Sequence, residues 1–286
     1  MQKSEVCGKN IDLKRALCYN FIDSRVLFLR RFRRLCMINE KRAKENYKKV
    51  VEWLEKYKEA TACSGVVLGI SGGKDSTTVA MLAKKVWGDS VIGVLMPNGE
   101  QSDIADSYEI VKALGLRHYV VNINDAFSGI VGAIEKSGAP KIEGQAKTNI
   151  PPRLRMTTLY AIAQSFGYRV IGTGNASEIY IGWTTKWGDG GHDLNPIAGL
   201  TCTEVMELGS LLSLEFGLDG RLAVKAPSDG LTGRTDEDNF GFTYKELDDY
   251  ILYGVEPEKE KLEKIKRMHA FSEHKRKMPT RYGVDE

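Results

Sequence analysis

The chain has 286 residues, of which 42% are hydrophobic and 28% charged. That is the mix of an ordinary globular protein with enough length for one large or two small domains. A formal net charge of +3 is too small to point to nucleic acid by itself, and no apolar run approaches the length of a membrane span. The five cysteines, Cys7, Cys18, Cys36, Cys63 and Cys202, show no metal-ligand spacing. Their odd number argues against a disulfide framework, so a reducing cytoplasm is the expected setting.

Residues 1–36 differ in pattern from the rest of the chain. Arg30, Arg31, Arg33 and Arg34 interrupt the apolar patch at Val26–Leu29, which is not the uninterrupted centre of a signal peptide. The pattern reads either as a basic amphipathic arm or as an extension, and the expectation is a dispensable extension with Met37 as a natural start. From Asn39, an N-cap residue, Ala43, Tyr47, Val50, Val51 and Leu54 recur at helical spacing.

Val66–Ile70 reads as a short buried strand, and Val79, Leu82, Ala83 and Val86 mark a following helix. Between them stand Ser71, Gly72, Gly73, Lys74, Asp75 and Ser76. A glycine turn between strand and helix aims unpaired N–H groups and the positive end of the helix dipole at one point, where a phosphate can approach closely. Asp75 is out of place in a pure anion cradle and makes sense with Mg²⁺ between it and the phosphates. A Walker loop is excluded because Asp75 rather than Ser or Thr follows Lys74, and no G-x-G-x-x-G is present here. The plain alternative is a turn that merely joins two elements.

Val91–Met96 and His118–Ile123 are the next strands, with helices over Ile104–Leu114 (Ser102 as cap) and Ala126–Lys136. Repeated strand–helix units imply an α/β fold with a doubly wound parallel sheet flanked by helices, whose ligands bind at the carboxyl ends of strands. Pro97-Asn98-Gly99 ends the second strand and could take adenine or ribose. A polar loop is expected over Ser137–Pro152, followed by a helix that Arg153 and Arg155 open. Arginines at a helix start oppose the dipole, so they are either anion partners or solvated.

Tyr168–Thr173 reads as a fourth strand, running into Gly174, Asn175, Ala176, Ser177 and Glu178. Asn175-Ala176-Ser177 spells a glycosylation sequon, discounted because nothing suggests secretion. Glu178 could face Asp75 across the crevice, although a glutamate alone is more often solvated. Ile181–Leu200 is a long irregular stretch, of the kind that is usually functional. In it Lys186 is a cation, Asp189 and Asp193 could take ribose hydroxyls, and Trp183 and Trp187 could stack on a ring or pack. Helices are expected from Leu200-Thr201 onward, over Tyr244–Leu252 and over Glu256–Phe271. Ala226–Phe242 reads as a polar loop.

SGGKDST, RLRM, GTGNASE, TKWGDGGHDLNP, GRTDEDNFGFTYKELDDY and EHKRKMP stand in this order. The first resembles the pyrophosphate loop of N-type ATP pyrophosphatases, and together they resemble the ammonia-dependent NAD synthetases from about residue 40 to 280. The resemblance implies an adenine nucleotide alpha hydrolase-like fold and ATP-dependent amidation of deamido-NAD through an adenylate, with release of AMP and pyrophosphate. It implies that Gly69, Ile70, Ser71, Gly72, Gly73, Lys74, Asp75 and Ser76, with Thr173 and Ser228, hold ATP. Asp75 and Glu178 would bind Mg²⁺, and Arg153, Arg155, Lys186, Asp193, His274 and Lys275 would contact deamido-NAD. Asp75 and Lys186 would be the catalytic pair, and Ser228–Phe242 a lid. It further implies a homodimer that binds neither membrane nor nucleic acid. No stretch reads as an added amidohydrolase domain, so ammonia would come free or from a separate glutaminase. The chain departs from the family at Cys202, where a phosphate-binding lysine is usual, and at Ser228-Asp229-Gly230-Leu231. Lys74 and Lys225 are candidates to replace the lysine, with Lys74 favoured. Two other readings remain: another pyrophosphate-loop enzyme acting on RNA or a different carboxylate, and a nucleotide-binding regulator without catalysis.

Overall fold

A computed structural model describes residues 39–101, 104–225 and 235–283. The expectations for residues 1–36, Ser102 and Ser228 lie outside them. Helix α1 is Glu40–Thr61, and the strands are β1 Val66–Gly69, β2 Val91–Leu95, β3 Arg117–Val120 and β4 Arg169–Val170. Between β1 and β2 lies α2, Lys74–Trp87, and between β2 and β3 lies α3, Ile104–Ala113. Helices α4 Asn124–Lys136, α5 Gly144–Thr148 and α6 Ile150–Phe166 precede β4. After it come α7 Ala176–Ile181, α8 Cys202–Phe216, α9 Asp236–Phe240, α10 Tyr244–Tyr253, α11 Lys259–Phe271 and α12 Glu273–Arg276.

The sheet is parallel with order β3-β2-β1-β4. Strand side chains alternate between faces, which sets three layers. Val66, Leu68 and Ile70 join Val91 and Leu95 in a core with α1, α2 and α8. Val67, Ile92 and Val94 face the other way, against Leu154, Leu159, Ile162 and Phe166 of α6. The expected doubly wound α/β class is therefore what the chain forms. On the first face α2 and α8 approach closely at Gly209, where an added Cβ would lie 2.4 Å from Thr78 Oγ1.

Three expectations change. Strand β4 stops at Val170 because the ladder passes to the irregular segment: Ile171 bridges Leu194, Gly172 N–H donates to Leu194 O and Asp193 N–H to Val170 O. Ser137–Pro152 is not one loop; it holds α5 and the start of α6, whose first turn tolerates Pro151 and Pro152 because its N–H groups have no helical partners. Residues 235–242 are not an exposed loop either. Thr235 caps α9, and Phe240 and Phe242 stack in a third apolar cluster with Ile181, Cys202, Tyr244, Leu247 and Ile265. The acidic run Asp236, Glu237 and Asp238 hid the two phenylalanines from a polarity-based reading.

Candidate active site

The chain runs from β1 to β2 and β3 on one side, then returns with β4 on the other side of β1. The carboxyl ends of β1 and β4 thus flank the switch in strand order, the crevice where such sheets hold ligands. Two segments enter it, the turn from β1 to α2 and the turn from β4 to α7.

In the first turn Gly72 takes φ +80°, a conformation that suits glycine. Ser71 Oγ accepts from Gly73 N–H at 3.2 Å and lies 3.0 Å from Ser76 Oγ, while Ser76 Oγ donates to Gly73 O at 3.1 Å. These bonds fix the loop from within. Gly73 is the N-cap of α2 and offers no side-chain cap, so the first-turn N–H groups and the helix dipole face the crevice without one. Lys74 and Ser76 are buried, and Ser71 is exposed.

In the second turn Thr173 and Gly174 are half-buried and lead to Asn175, which is wholly buried. Asn175 caps α7 reciprocally: its Oδ1 accepts from Glu178 N–H at 3.0 Å, and its own N–H donates to Glu178 Oε2 at 3.1 Å. Its Nδ2 donates to Asp75 Oδ1 at 3.0 Å. The two carboxylates named from sequence are therefore brought together, joined by one asparagine. Glu178 keeps partial solvent access but is crowded by protein, and burial together with Asp75's charge pushes its carboxyl well above the usual range.

Lys74 completes the group. Its side chain is 2% exposed, and its Nζ lies 2.7 Å from Asp75 Oδ2 and 5.5 Å from the ring centre of Tyr244. Burial works against the ammonium, but the charges of Asp75 and Glu178 outweigh it and hold Lys74 protonated. Cys202 lies within electrostatic reach of Lys74, Asp75 and Glu178, and burial pushes its thiol up, so it is neutral. Tyr244 in turn donates to Asp236 Oδ2 at 3.0 Å. Lys225 is turned elsewhere, 2.8 Å from Asp106.

Of the residues expected around deamido-NAD, Arg153, Lys186 and His274 are linked by hydrogen bonds, and Arg155, Lys275 and Asp193 bond elsewhere. Arg153 Nε donates to Lys186 O, Lys186 Nζ to His274 O at 2.7 Å, and His274 Nδ1 lies 3.2 Å from Phe271 O. Arg155 is half-buried, and its Nε donates to Met96 O just after β2. Lys275 Nζ donates to Gly182 O and Thr184 O, each at 2.7 Å, so its ammonium ties α12 to the end of α7. Asp193 bonds to the sheet instead. Its Oδ2 accepts from Val170 N–H and its Oδ1 from the Tyr160 hydroxyl, so it extends the β4 ladder. Trp183 packs edge-on against Phe240, whereas Trp187 is exposed beside Lys186.

Sequence reasoning named Asn175 only within a motif and missed Asp248. That carboxylate accepts from Ser177 Oγ and Thr203 N–H, and Cys202 N–H donates to Ser177 Oγ, so α10 clamps the starts of α7 and α8. The signal for Asn175 was present in its spacing, Asn-x-x-Glu at a helix start.

A glycine turn opens an uncapped helix that carries Asp75, and Glu178 is joined to it across the sheet's switch point; this is where α/β sheets hold nucleotides. The NAD synthase family matches residues 46–279. The NH(3)-dependent NAD(+) synthetase of Carboxydothermus hydrogenoformans is 44% identical over 238 residues, covering 82% of this chain and 96% of that protein. Among solved structures, NMN synthetase from Francisella tularensis is 36% identical with a TM-score of 0.75, covering 85% of this chain and 99% of that one. NAD+ synthetase from Burkholderia pseudomallei is 29% identical with a TM-score of 0.66, covering 83% and 91%. The chain belongs to the NAD synthase family and is a ligase that forms a C–N bond.

Proposed function

We propose that the chain joins ammonia to deamido-NAD at the expense of ATP. The observation that carries this reading is the Asp75–Asn175–Glu178 assembly, which ties the uncapped start of α2 to the start of α7, in a chain of this family. The nicotinate carboxylate attacks the α-phosphorus of ATP and pyrophosphate leaves. Ammonia then attacks the acyl-adenylate carbonyl, giving NAD and AMP. A carboxylate acylates poorly because oxide is a bad leaving group, and adenylation supplies a phosphate instead. The work of the protein is alignment and charge neutralisation. The first-turn N–H groups of α2, with Ser71 and Ser76, hold the pyrophosphate end of ATP, and Thr173 approaches it from the β4 turn.

Asp75 and Glu178 fit Mg²⁺, because they present hard oxygen donors joined through Asn175, and the charge of Asp75 raises the cost of ionising Glu178. When bound, the ion would offset phosphate charge and ease pyrophosphate departure. Arg153, Arg155, Lys186 and His274 would face deamido-NAD. For Lys275 and Asp193 the internal bonds described above favour a supporting role.

A homodimer is the assembly this reading includes. No residue of α4 is buried, and Phe127, Ile130, Val131 and Ile134 form one apolar stripe along it, with Ile130 40% exposed. Ile130→Glu should shift the species seen by light scattering from dimer to monomer. The setting would be the cytoplasm, with ammonia free or delivered by a separate glutaminase.

The deciding experiment mixes protein with ATP, Mg²⁺ and ammonia and follows pyrophosphate with and without deamido-NAD. Release that requires deamido-NAD supports the proposal. Release driven by RNA instead, or binding with no release, would sustain the two other readings. Deamidated NMN belongs in the same assay, because one solved relative is named an NMN synthetase.

A further inference from the structure

Lys74 is a cation in the first turn of a 14-residue helix, where the dipole opposes it, and it is 2% exposed, where desolvation opposes it. Both costs are met by one arrangement: its ammonium sits against Asp75 and within reach of Glu178. These are the two carboxylates that, in the proposed function, hold the divalent ion. One ammonium beside Asp75, with the Glu178 carboxyl pushed toward its neutral form, leaves at most about one negative charge. A divalent ion added to that group would leave a net positive charge beside a buried lysine, and like charges in a low dielectric repel strongly.

We infer that Lys74 is a built-in countercation that occupies the Asp75–Glu178 pair in the nucleotide-free enzyme, so that the divalent ion binds only together with ATP. The inference rests on the assignment of the metal to Asp75 and Glu178. ATP brings about four negative charges, enough to accommodate both cations. Its arrival frees the Asp75 oxygen, while the lysine, whose backbone belongs to the phosphate loop, stays beside the phosphates. The ordering protects the empty site from collecting a metal ion on its own.

The test uses Mn²⁺ as a probe, read by the loss of its free-ion spin resonance signal on the full-length protein. Without nucleotide, wild type should leave Mn²⁺ free, and Lys74→Met should bind it about tenfold or more tightly than wild type. With α,β-methylene ATP present, both should hold Mn²⁺. Melting gives a second readout. Lys74→Met should be less stable than wild type without metal and regain stability with Mn²⁺, whereas wild type should be indifferent. Lys74→Gln should repeat both results. Equal Mn²⁺ binding by wild type and the two variants without nucleotide overturns the inference. So do variants that fold neither with nor without Mn²⁺, because one cation should stand in for another. Failure of the underlying metal assignment is read separately: Asp75→Asn would then leave Mn²⁺ affinity in the nucleotide complex unchanged.

Discussion

Asn175 donates its side-chain amide to Asp75, a hundred residues earlier in the chain, at 3.0 Å. The same residue caps α7 through Glu178. One buried side chain therefore sets the spacing of two carboxylates carried by different helices. Asn175→Ala should lower stability by about 1–2 kcal/mol through the lost cap and slow adenylation by more than that stability loss explains. Denaturant midpoints and single-turnover rates separate the two effects. Adenylation at the wild-type rate would show that the asparagine only holds α7.

Asp75→Asn and Glu178→Gln each remove one negative charge and keep the shape. Each should abolish adenylation and leave the fold intact by circular dichroism. Turnover near wild type in either variant at ordinary Mg²⁺ removes that residue from the metal site.

Lys74 lies within electrostatic reach of Cys202, the position the resemblance marks as a phosphate-binding lysine, whereas Lys225 is paired with Asp106. The ammonium thus occupies the neighbourhood of the missing one. Losing a charged hydrogen-bond partner of ATP costs about 1.5–3 kcal/mol, so Lys74→Gln should raise the KM for ATP by about 10- to 100-fold. Cys202→Lys introduced into that variant should recover much of the loss and should do little for wild type. Equal benefit in both backgrounds would sink the replacement.

A protein beginning at Met37 should fold, dimerise and turn over like the full chain. The measurement is light scattering and steady-state kinetics on the two lengths side by side. Loss of either property on truncation would assign the arm a structural role.

Glu246 shows the sign of an acid transition. Its Oε1 lies 2.7 Å from Lys261 Nζ and its Oε2 accepts from Thr243 N–H, which lowers its carboxyl to about 2. A carboxyl lowered on folding stabilises above the ordinary glutamate range, and that contribution disappears as pH falls through it toward 2. The group borders solvent, so screening limits the effect to under about 1 kcal/mol. Glu246→Gln should therefore reduce stability at pH 7 and leave it unchanged near pH 2, as read from urea midpoints at both values.

The layers were legible because strand alternation and helical spacing are local. Val66, Leu68 and Ile70 point one way and Val67 the other whatever else the chain does. The Asp75 and Glu178 pair was legible because both follow strand ends on one side of a parallel sheet. Three things were not. Phe240 and Phe242 are hidden among charges and are buried only once α10 and α11 are in place. Asp193 sits in a segment with no period, and its use by Val170 and Tyr160 depends on a ladder that leaves the regular strand. Lys275 reads as a ligand cation, and its bonds to two carbonyls at the end of α7 could not be read from its own neighbourhood. In each case the partner is distant in sequence, and spacing carries no record of it.

The bonds around Asn175 also bear on which ion the site prefers. Glu178 has committed Oε2 to a backbone N–H, and Asp75 has committed Oδ1 to an amide. That leaves Glu178 Oε1 without such a bond, and Asp75 Oδ2 once Lys74 releases it, so on the proposed reading single-oxygen contact with an ion is favoured over a two-oxygen clasp. Calcium favours high coordination numbers and two-oxygen carboxylates, whereas magnesium takes single oxygens in an octahedron filled by water and phosphate. On the proposed reading, hydrogen bonds that look like simple helix capping would favour one of two abundant dications over the other, by setting denticity rather than charge.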